Sequence, residues 1–306
     1  MKKIFLFIVG VFLILIGLIG WILPIIPGLP LIFLGLTLAV PSLAFSLKHK
    51  WKYIIFKRDF IYFPEWKKQK ATLGITTKFF PLLIKKSEDL GIEENQIKLQ
   101  KALSASAVTI SKKIKFPGRF VYSKQVHGSG VAVLEQKSGQ RFAGFHRLEN
   151  TDGMITDIAG LTLLVMTADC LPIFFYAPGW VGIVHAGWRG TQQKISRNAV
   201  DLLLEKSKCK PSEIYIIFGP SICAKHYQVG AEFKNFFSGP ALRQRGKKYT
   251  FDLVRENREQ IMLVGVPSEN FLDTALCTVS KKKYFYSFRQ EKEQAGRMIS
   301  FIQLES

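Results

Sequence analysis

The chain has 306 residues, enough for one large domain and a smaller element, and its apolar (48%) and charged (22%) fractions are ordinary for a globular protein. Its four cysteines show no close-spaced pairing in a chain too large to need disulfide staples, which argues against an oxidising compartment. The net charge of +20 would suit a nucleic-acid partner. However, the basic residues are spread along the chain without an RNP-like, zinc-finger or KH-like pattern, so we expect no nucleic-acid partner.

The N-terminal stretch from Ile4 to Leu47 contains no charged residue and no histidine. As one continuous helix it would be about 66 Å long at ~1.5 Å per residue, roughly twice the hydrocarbon thickness of a bilayer. A break is expected between Pro24 and Pro30, because proline lacks a backbone donor and the glycine within this stretch permits a tight turn. The sequence therefore predicts a two-helix transmembrane hairpin over residues 1–47 and a lipid bilayer as partner.

Basic residues flank both predicted spans, and such residues favour the cytoplasmic side of a membrane. We therefore predict a membrane protein whose remaining domain, the catalytic one, is cytoplasmic. Residues 48–70 mix aromatic with basic side chains, which is typical of a segment at the lipid headgroups, and they are predicted to form a juxtamembrane linker. The alternatives are a cleaved signal peptide, whose apolar core should be far shorter, and a hairpin buried in a protein core.

One N-terminal segment has a recognisable pattern. It reads Gly20-Trp21-Ile22-Leu23-Pro24-Ile25-Ile26-Pro27-Gly28-Leu29-Pro30-Leu31. This segment resembles the small bacterial membrane proteins called the PGPGW family. The resemblance covers about the first 60 residues and implies a topology but no activity.

Beyond about Ala71 the chain alternates short β-rich runs with helical stretches. Buried strands are predicted where apolar, β-branched and aromatic runs are bounded by Gly, Pro or Asp. The clearest helix spans Thr191 to Lys206, where apolar residues recur at helical spacing. This pattern predicts an α/β or α+β domain over residues 71–306. The clearest predicted strands are Leu161 to Thr167, Ile173 to Tyr176, Val181 to Val184 and Ile214 to Phe218.

Residues able to bind a metal follow the predicted strands. Cys170 follows one apolar run, His185 follows another, and His127 stands at the end of a third β-rich run. Strand ends followed by small residues are where open sheets place ligands. Two imidazoles and a thiol suit zinc, and three protein ligands leave a fourth position open, as in catalytic sites. No pair has a locally fixing separation such as C-x-x-C, so on spacing alone ordinary core or loop residues remain the alternative.

A series of short motifs also follows in order along this domain. They are Gln125-Val126-His127-Gly128, Thr167-Ala168-Asp169-Cys170, His185-Ala186-Gly187-Trp188-Arg189-Gly190, Gly219-Pro220-Ser221-Ile222 with Tyr227-Gln228-Val229-Gly230, Phe251-Asp252-Leu253, Cys277-Thr278, and Phe285-Tyr286-Ser287-Phe288-Arg289. In this order they resemble the YfiH-like family, also called polyphenol oxidase or purine nucleoside phosphorylase, which includes the human laccase-domain protein. The resemblance implies an α+β fold, a mixed-sheet layered domain of the YfiH type related to bacterial deamidating toxins, preceded here by the transmembrane hairpin.

The resemblance implies a zinc ion bound by His127, Cys170 and His185, with copper as the alternative metal. The implied activities are phosphorolysis of adenosine, inosine, guanosine and methylthioadenosine, and deamination of adenosine. Purine nucleosides and phosphate are thus the expected partners, and an oligomer is compatible with the sequence. Other functions left open are a copper-dependent phenol oxidase, an amidase acting on a cell-wall precursor, and a membrane scaffold without turnover.

Candidate substrate residues follow from the needs of phosphorolysis. Phosphate requires cationic and amide donors, and Arg189 at the start of the predicted helix supplies both together with the neighbouring backbone. Lys78 and Arg289 are further phosphate candidates, and Gln125 and Tyr227 are candidate substrate contacts. Lys78 and Arg289 stand in segments that depart from the family pattern, so substrate preference is free to differ from that of the family.

Alternatives accompany several of these residues. Asp169 is a candidate catalytic acid beside Cys170, or else a carboxylate that caps a turn or orients a ligand. Arg189 is either a phosphate ligand or the structural partner of a buried carboxylate. Tyr227 either borders the base or belongs to the core.

Four further residues are given structural roles. Cys223 and Cys277 are expected to be buried small residues, because nothing adjacent in sequence clearly lowers their pKa values. His146 and His226 are expected at the surface or in polar networks.

Overall fold

The computed structural model describes residues 54–80, 118–246 and 248–305. The chain divides into two compact units, Met1–Ile55 and Phe56–Ser306, and nearly all described residues belong to the second. The predicted hairpin, residues 1–47, lies outside the described residues.

The described residues form sixteen strands and four α-helices. The strands are β1 (Ile55–Phe56), β2 (Phe60–Tyr62), β3 (Ala71–Thr76), β4 (Arg119–Ser123), β5 (Val131–Leu134), β6 (Phe145–Leu148), β7 (Gly153–Thr156), β8 (Leu161–Thr167), β9 (Leu171–Ala177), β10 (Trp180–Ala186), β11 (Tyr215–Phe218), β12 (Gln228–Val229), β13 (Leu242–Arg245), β14 (Lys248–Phe251), β15 (Phe271–Asp273) and β16 (Met298–Leu304). The α-helices are α1 (Trp188–Gln192), α2 (Ile195–Ser207), α3 (Leu253–Met262) and α4 (Phe288–Glu291). Short 3-10 helices span Pro64–Gln69, Gln136–Ser138, Pro211–Glu213, Ala231–Asn235, Ser268–Asn270 and Lys292–Gln294.

Three sheets organise these strands. The first has the order β1-β2-β3-β16-β8-β4-β6, the second β15-β11-β9-β10-β7-β5, and a small third sheet β12-β14-β13. In the first sheet β16 is antiparallel to β8, while β4 is parallel to β8. In the second sheet β10 is antiparallel to β9 and β7, while β5 is parallel to β7. The predicted α+β domain with mixed sheets is therefore confirmed.

The second sheet is covered on both faces. On β9, Ile173 and Phe175 belong to the core formed with helix α2, whereas the ring of Phe174 lies 6.2 Å from that of Phe63, on the side of the first sheet. Successive strand residues point to opposite faces, so one face of the sheet meets helices and the other meets the first sheet. Strand β10 is accordingly buried along its whole length.

The helix predicted over Thr191 to Lys206 is divided in two. Helices α1 and α2 are separated at Lys194, whose φ of 64° is left-handed. The Thr191 carbonyl accepts the backbone N–H of Lys194 at 3.0 Å. From α3, Gln260 donates a side-chain N–H to the same carbonyl and Asn257 donates one to the Thr191 hydroxyl, each at 2.9 Å. Tertiary hydrogen bonds thus interrupt a pattern that is helical in sequence, and they leave α1 only five residues long.

The predicted location in a membrane is wrong. Across residues 54–80, 118–246 and 248–305, no helix is long and apolar enough to span a bilayer. The longest of these helices, Ile195–Ser207, has 13 residues and carries charges on its exposed face, while a span needs about 20 apolar residues.

The predicted domain boundaries at residues 47 and 70 stay predictions. Part of the predicted linker nevertheless has a described position. Strand β2 pairs with β3, and the side chains of Phe63 and Trp66 beyond it are buried.

Candidate metal centre and pocket

Strand register places a buried carboxylate against His185. Val184 of β10 pairs with Gly153 of the antiparallel strand β7. His185, which follows Val184, therefore lies opposite Asp152, which precedes Gly153. The backbone N–H of His185 donates to the Asp152 carbonyl at 2.7 Å, and its Nδ1 lies 2.8 Å from the Asp152 carboxylate. Both side chains are almost fully buried. The register therefore fixes the orientation of the imidazole.

The same carboxylate organises the loop that carries His127. Its oxygens accept the backbone N–H groups of Val126, His127 and Gly128 at 3.0, 2.9 and 2.8 Å. These bonds hold His127 at a left-handed φ of 60°, which is uncommon for a residue other than glycine. Burial raises the pKa of Asp152, but its hydrogen bond with His185, the charge of that histidine and the backbone donors lower it below the ordinary value. Asp152 is thus held as a carboxylate.

Cys170 directly precedes β9, the strand that pairs with β10 on the side away from β7. Leu171 of β9 pairs with Ala186, so Cys170 lies beside Gly187 just beyond the strand ends. A Cβ built on Gly187 would lie 3.2 Å from the Cys170 sulfur and 3.1 Å from His127 Cδ2. A glycine at this position therefore lets the three side chains approach. The ligand atoms of His127, Cys170 and His185 all lie within 4.8 Å of one another.

The electrostatics of this trio couple the Cys170 thiol to the His185 imidazole. Burial raises the pKa of Cys170, but the charge of His185 and hydrogen bonds from both histidines lower it to about 6. Burial lowers the pKa of His185, but Cys170 and the hydrogen bond to Asp152 raise it to about 9. Cys170 is therefore a thiolate near neutral pH, the form of cysteine that binds metals.

The residues of the trio fit a metal ion. Asp152 engages Nδ1 of His185, which leaves Nε2 as its metal-binding nitrogen. A thiolate with two imidazoles is a donor set that zinc accepts, and three protein ligands leave a fourth position open.

A cavity of about 930 Å³ borders the trio. Its wall carries six basic side chains against the single carboxylate of Asp169. Aromatic and apolar side chains complete the wall, so the cavity combines anion-binding and apolar surfaces. The basic residues are Lys124, Arg147, Arg189, Arg289, Lys292 and Arg297; the large apolar or aromatic ones are Tyr122, Met166, Trp188, Ile222, Tyr227, Leu253 and Phe288.

Comparison with known proteins identifies the family. Residues 88–305 match the family model described as multi-copper polyphenol oxidoreductase laccase. The chain belongs to this family. YlmD of Bacillus subtilis, named a purine nucleoside phosphorylase, is 36% identical over 194 residues, which cover 60% of this chain and 70% of that protein. YfiH of Shigella flexneri, which bears the same name, is 34% identical over 196 residues, or 61% and 75% of the two chains.

Two solved structures share the fold. YlmD of Geobacillus stearothermophilus superposes with a TM-score of 0.70 at 28% identity, covering 83% of this chain and all of that one. The hypothetical protein YfiH of Bacillus licheniformis gives 0.68 at 25% identity, covering 81% and 97%. The predicted YfiH-type fold is therefore confirmed. The N-terminal resemblance to the PGPGW family falls outside the described residues and stays a prediction.

Asp169 lies in the cavity wall with its carboxylate fully engaged. Its Oδ1 accepts the hydroxyl of Thr278 at 2.5 Å, and its Oδ2 accepts the Ser287 hydroxyl at 3.0 Å and the Arg289 backbone N–H at 2.6 Å. The φ of Asp169 is 87°, again left-handed. Asp169 therefore ties two C-terminal segments to the residue beside Cys170.

Arg189 and Arg289 both line the cavity but differ in their contacts. The guanidinium of Arg189 lies 4.5 Å from the ring of Trp188, and within the described part of the chain it forms no ion pair. Arg289 donates to the carbonyl of Gln228 at 3.0 Å and lies 5.4 Å from the ring of Tyr227. Arg189 thus has the less engaged guanidinium.

Gln125, Tyr227 and Lys78 occupy three different settings. Gln125 lines the cavity, but its amide bonds both backbone groups of Met166, at 2.7 and 2.8 Å. Tyr227 lines the cavity and is mostly buried, and this burial raises its pKa. Lys78 does not line the cavity; it pairs with Glu291 and lies 4.9 Å from the ring of Tyr286.

Sequence reasoning missed several residues of the site, among them Asp152 and Arg297. Asp152 stands between Thr151 and Gly153, and an Asp before a glycine is as typical of a turn as of a ligand partner, so its role is invisible without the register. Arg297 lines the cavity, and burial lowers its pKa although Cys170 and Asp169 favour its charge.

Replacement of the orienting carboxylate tests this arrangement. We expect Asp152→Asn to weaken zinc binding by the trio about 10- to 100-fold, because removal of a carboxylate that orients a ligating histidine has effects of this size. The measurement is competition for zinc with a chromogenic chelator. Zinc binding that is lost in Cys170→Ala is assigned to the trio, and its affinity is then compared between wild type and Asp152→Asn.

Asp201→Asn is the matched control, since Asp201 lies on the exposed face of α2, where it pairs with Arg197. Circular dichroism verifies folding of each variant. An unchanged affinity in folded Asp152→Asn would contradict the assigned role.

Proposed function

We propose that this chain is a zinc-dependent purine nucleoside phosphorylase that accepts adenosine, inosine, guanosine and methylthioadenosine and also deaminates adenosine. The observation that carries the proposal is the trio of His127, Cys170 and His185 at the border of a cavity with six basic side chains. The cavity volume of about 930 Å³ lies in the range that encloses small molecules. The names of the bacterial relatives support the same reaction.

Phosphorolysis places two demands on such a cavity. A phosphate oxygen bonds to C1′ of the ribose while the bond from C1′ to the purine nitrogen breaks, and the electron pair leaves with the base. The products are ribose 1-phosphate and the free purine. The enzyme must therefore hold a phosphate dianion beside the sugar and stabilise charge on the departing base. A zinc ion bound by the trio would supply Lewis acidity toward the base or a water molecule.

The cavity residues meet the first demand through charge. Arg189 has no competing carboxylate among the described residues, so its planar guanidinium is available for a bidentate phosphate contact. Helix α1 has only five residues, so we assign this contact to the side chain and not to a helix terminus. Arg289 lies nearby as a second cation, held by the carbonyl of Gln228.

Asp169 and Tyr227 shape the remaining wall. Because three donors already occupy the carboxylate of Asp169, we assign it a positioning role, and the general acid function is the less favoured of its two predicted roles. Tyr227 presents a largely buried aromatic surface beside Arg289, which suits contact with a purine ring. Lys78 is already paired with Glu291, so we assign it no phosphate contact.

Adenosine deamination uses the same nucleoside with a different nucleophile. Water adds at C6 of the base and ammonia departs, leaving inosine. This reaction needs no phosphate, so the proposed contact with Arg189 bears on phosphorolysis alone.

Product analysis tests the reaction. Incubation of the full chain with adenosine and phosphate should yield adenine and ribose 1-phosphate, and omission of phosphate should leave only inosine, both resolved by chromatography. Cys170→Ala should lose both activities, because it removes a charged ligand from the trio. Cys209→Ala is the matched control, since Cys209 lies outside the trio. Absence of nucleoside turnover by zinc-loaded wild type would refute the proposed function.

Metal analysis separates zinc from copper. The family description favours a copper phenol oxidase as the second candidate, yet the whole chain has only five histidines, too few for a multicopper centre. We expect elemental analysis of the purified protein to find zinc, and removal by a chelator to abolish turnover until zinc is restored. Stoichiometric copper together with the intense visible absorption of a copper thiolate would instead support the oxidase.

The phosphate contact has its own test. We expect Arg189→Ala to raise the KM for phosphate about 10- to 100-fold, the effect of losing a charged hydrogen bond. Its deamination of adenosine should stay near the wild-type rate. Arg197→Ala, which removes an arginine on the exposed face of α2, should change neither value. A normal phosphate KM in Arg189→Ala would assign phosphate binding to other basic residues.

A further inference from the structure

A second cluster of soft side chains lies outside the trio. Nδ1 of His226 is 3.4 Å from the sulfur of Cys223 and 3.4 Å from the sulfur of Cys277. All three ligand atoms lie within 4.8 Å of one another. None of the three residues lines the cavity of about 930 Å³. The cluster is therefore a separate grouping of two thiols and one imidazole.

Two backbone segments create this cluster. Ser221 and Cys277 form a parallel β-bridge, in which the N–H of Ser221 donates to the Leu276 carbonyl at 3.1 Å and the N–H of Thr278 donates to the Ser221 carbonyl at 3.0 Å. A turn then follows, since the carbonyl of Cys223 accepts the N–H of His226 at 2.9 Å. The bridge brings the two cysteines together, and the turn folds His226 back over them.

The spacing of the ligand atoms matches a tetrahedral zinc site. A zinc ion about 2.3 Å from a sulfur and about 2.0–2.1 Å from a nitrogen separates those two atoms by about 3.6 Å at the tetrahedral angle. The observed separation is 3.4 Å for both Cys223 and Cys277, so a small shift would admit the ion between all three atoms. The hydroxyl of Ser280, an exposed residue, lies 3.4 Å from the same Nδ1.

The sulfur of Cys277 is surrounded by donors. It accepts the backbone N–H of Cys223 at 3.4 Å and a further N–H from Ser280. Such donors stabilise negative charge on sulfur, as in natural metal thiolates. The half-buried position of His226 leaves a path for an ion from solvent.

The cluster is joined to the cavity wall through its neighbours in sequence. Ile222, beside Cys223, donates its N–H to the Asp169 carbonyl at 2.9 Å. Thr278, beside Cys277, donates its hydroxyl to the Asp169 carboxylate at 2.5 Å. Tyr227, beside His226, lines the cavity. An ion in the cluster would cross-link the two segments that hold Asp169 and Tyr227 in place.

We propose that Cys223, His226 and Cys277 form a second site for a thiophilic cation, zinc, which joins residues 219–227 to residues 274–281 behind the cavity wall. This site is distinct from the trio of His127, Cys170 and His185, and it stands whether or not the chain is a phosphorylase.

Metal stoichiometry in the reduced full chain tests the second site. Titration with zinc against a chromogenic chelator should give two equivalents in wild type, one in Cys170→Ala and one in Cys223→Ser. Cys209→Ser is the matched control and should retain two, because Cys209 belongs to neither cluster. One equivalent in wild type that vanishes in Cys170→Ala would overturn the proposal.

Cobalt identifies the ligands. In the Cys170→Ala background, Co²⁺ should produce thiolate-to-metal charge-transfer absorption in the near ultraviolet, and the melting temperature should rise on zinc addition. Both signals should disappear on adding Cys277→Ser or His226→Asn. His226 is half-buried and Cys277 is buried, so His226→Asn tests the site even where Cys277→Ser does not fold. If folded Cys170→Ala binds zinc but shows no charge-transfer absorption with Co²⁺, the proposal is overturned.

Discussion

The buried carboxylate of Asp152 is the constraint on which the metal trio depends. A charge removed from water is costly unless hydrogen bonds compensate it, and Asp152 receives three backbone N–H groups and the ring of His185. Each bond also fixes part of the trio, because the backbone donors belong to the loop of His127 and the ring is that of His185. The energetic need to satisfy one carboxylate therefore places His127 and His185, two of the three side chains of the trio.

A second carboxylate, that of Asp169 in the cavity wall, plays a corresponding part for the C-terminal segments. Asp169 is also buried, and its donors come from Thr278, Ser287 and Arg289, far along the chain. Cys170 directly follows Asp169 in sequence. The residue that carries the sulfur of the trio is therefore adjacent to the residue that binds the C-terminal segments.

Much of the fold and part of the site could be predicted from particular residues. The apolar run Leu161–Thr167 is β8 with the same bounds, because a strand buried on both faces reads as a continuous apolar segment. The helix over Thr191 to Lys206 was predicted as one element, and the contacts of Thr191 with Asn257 and Gln260 divided it. His127, Cys170 and His185 were indicated by motif order and not by spacing, since no two of them share a turn of helix.

The sequence alone determined the α+β class and the strands with continuous apolar character, because hydropathy patterns are local properties, and the ordered motifs predicted the trio of His127, Cys170 and His185. Only the tertiary structure decided that Asp152 faces His185 and that Cys223, His226 and Cys277 converge. It also decided that Lys78 pairs with Glu291 outside the cavity. The physical reason is register: hydrogen bonding between strands distant in sequence sets which side chains are opposite, and a shift of one residue would turn each to the other face of the sheet.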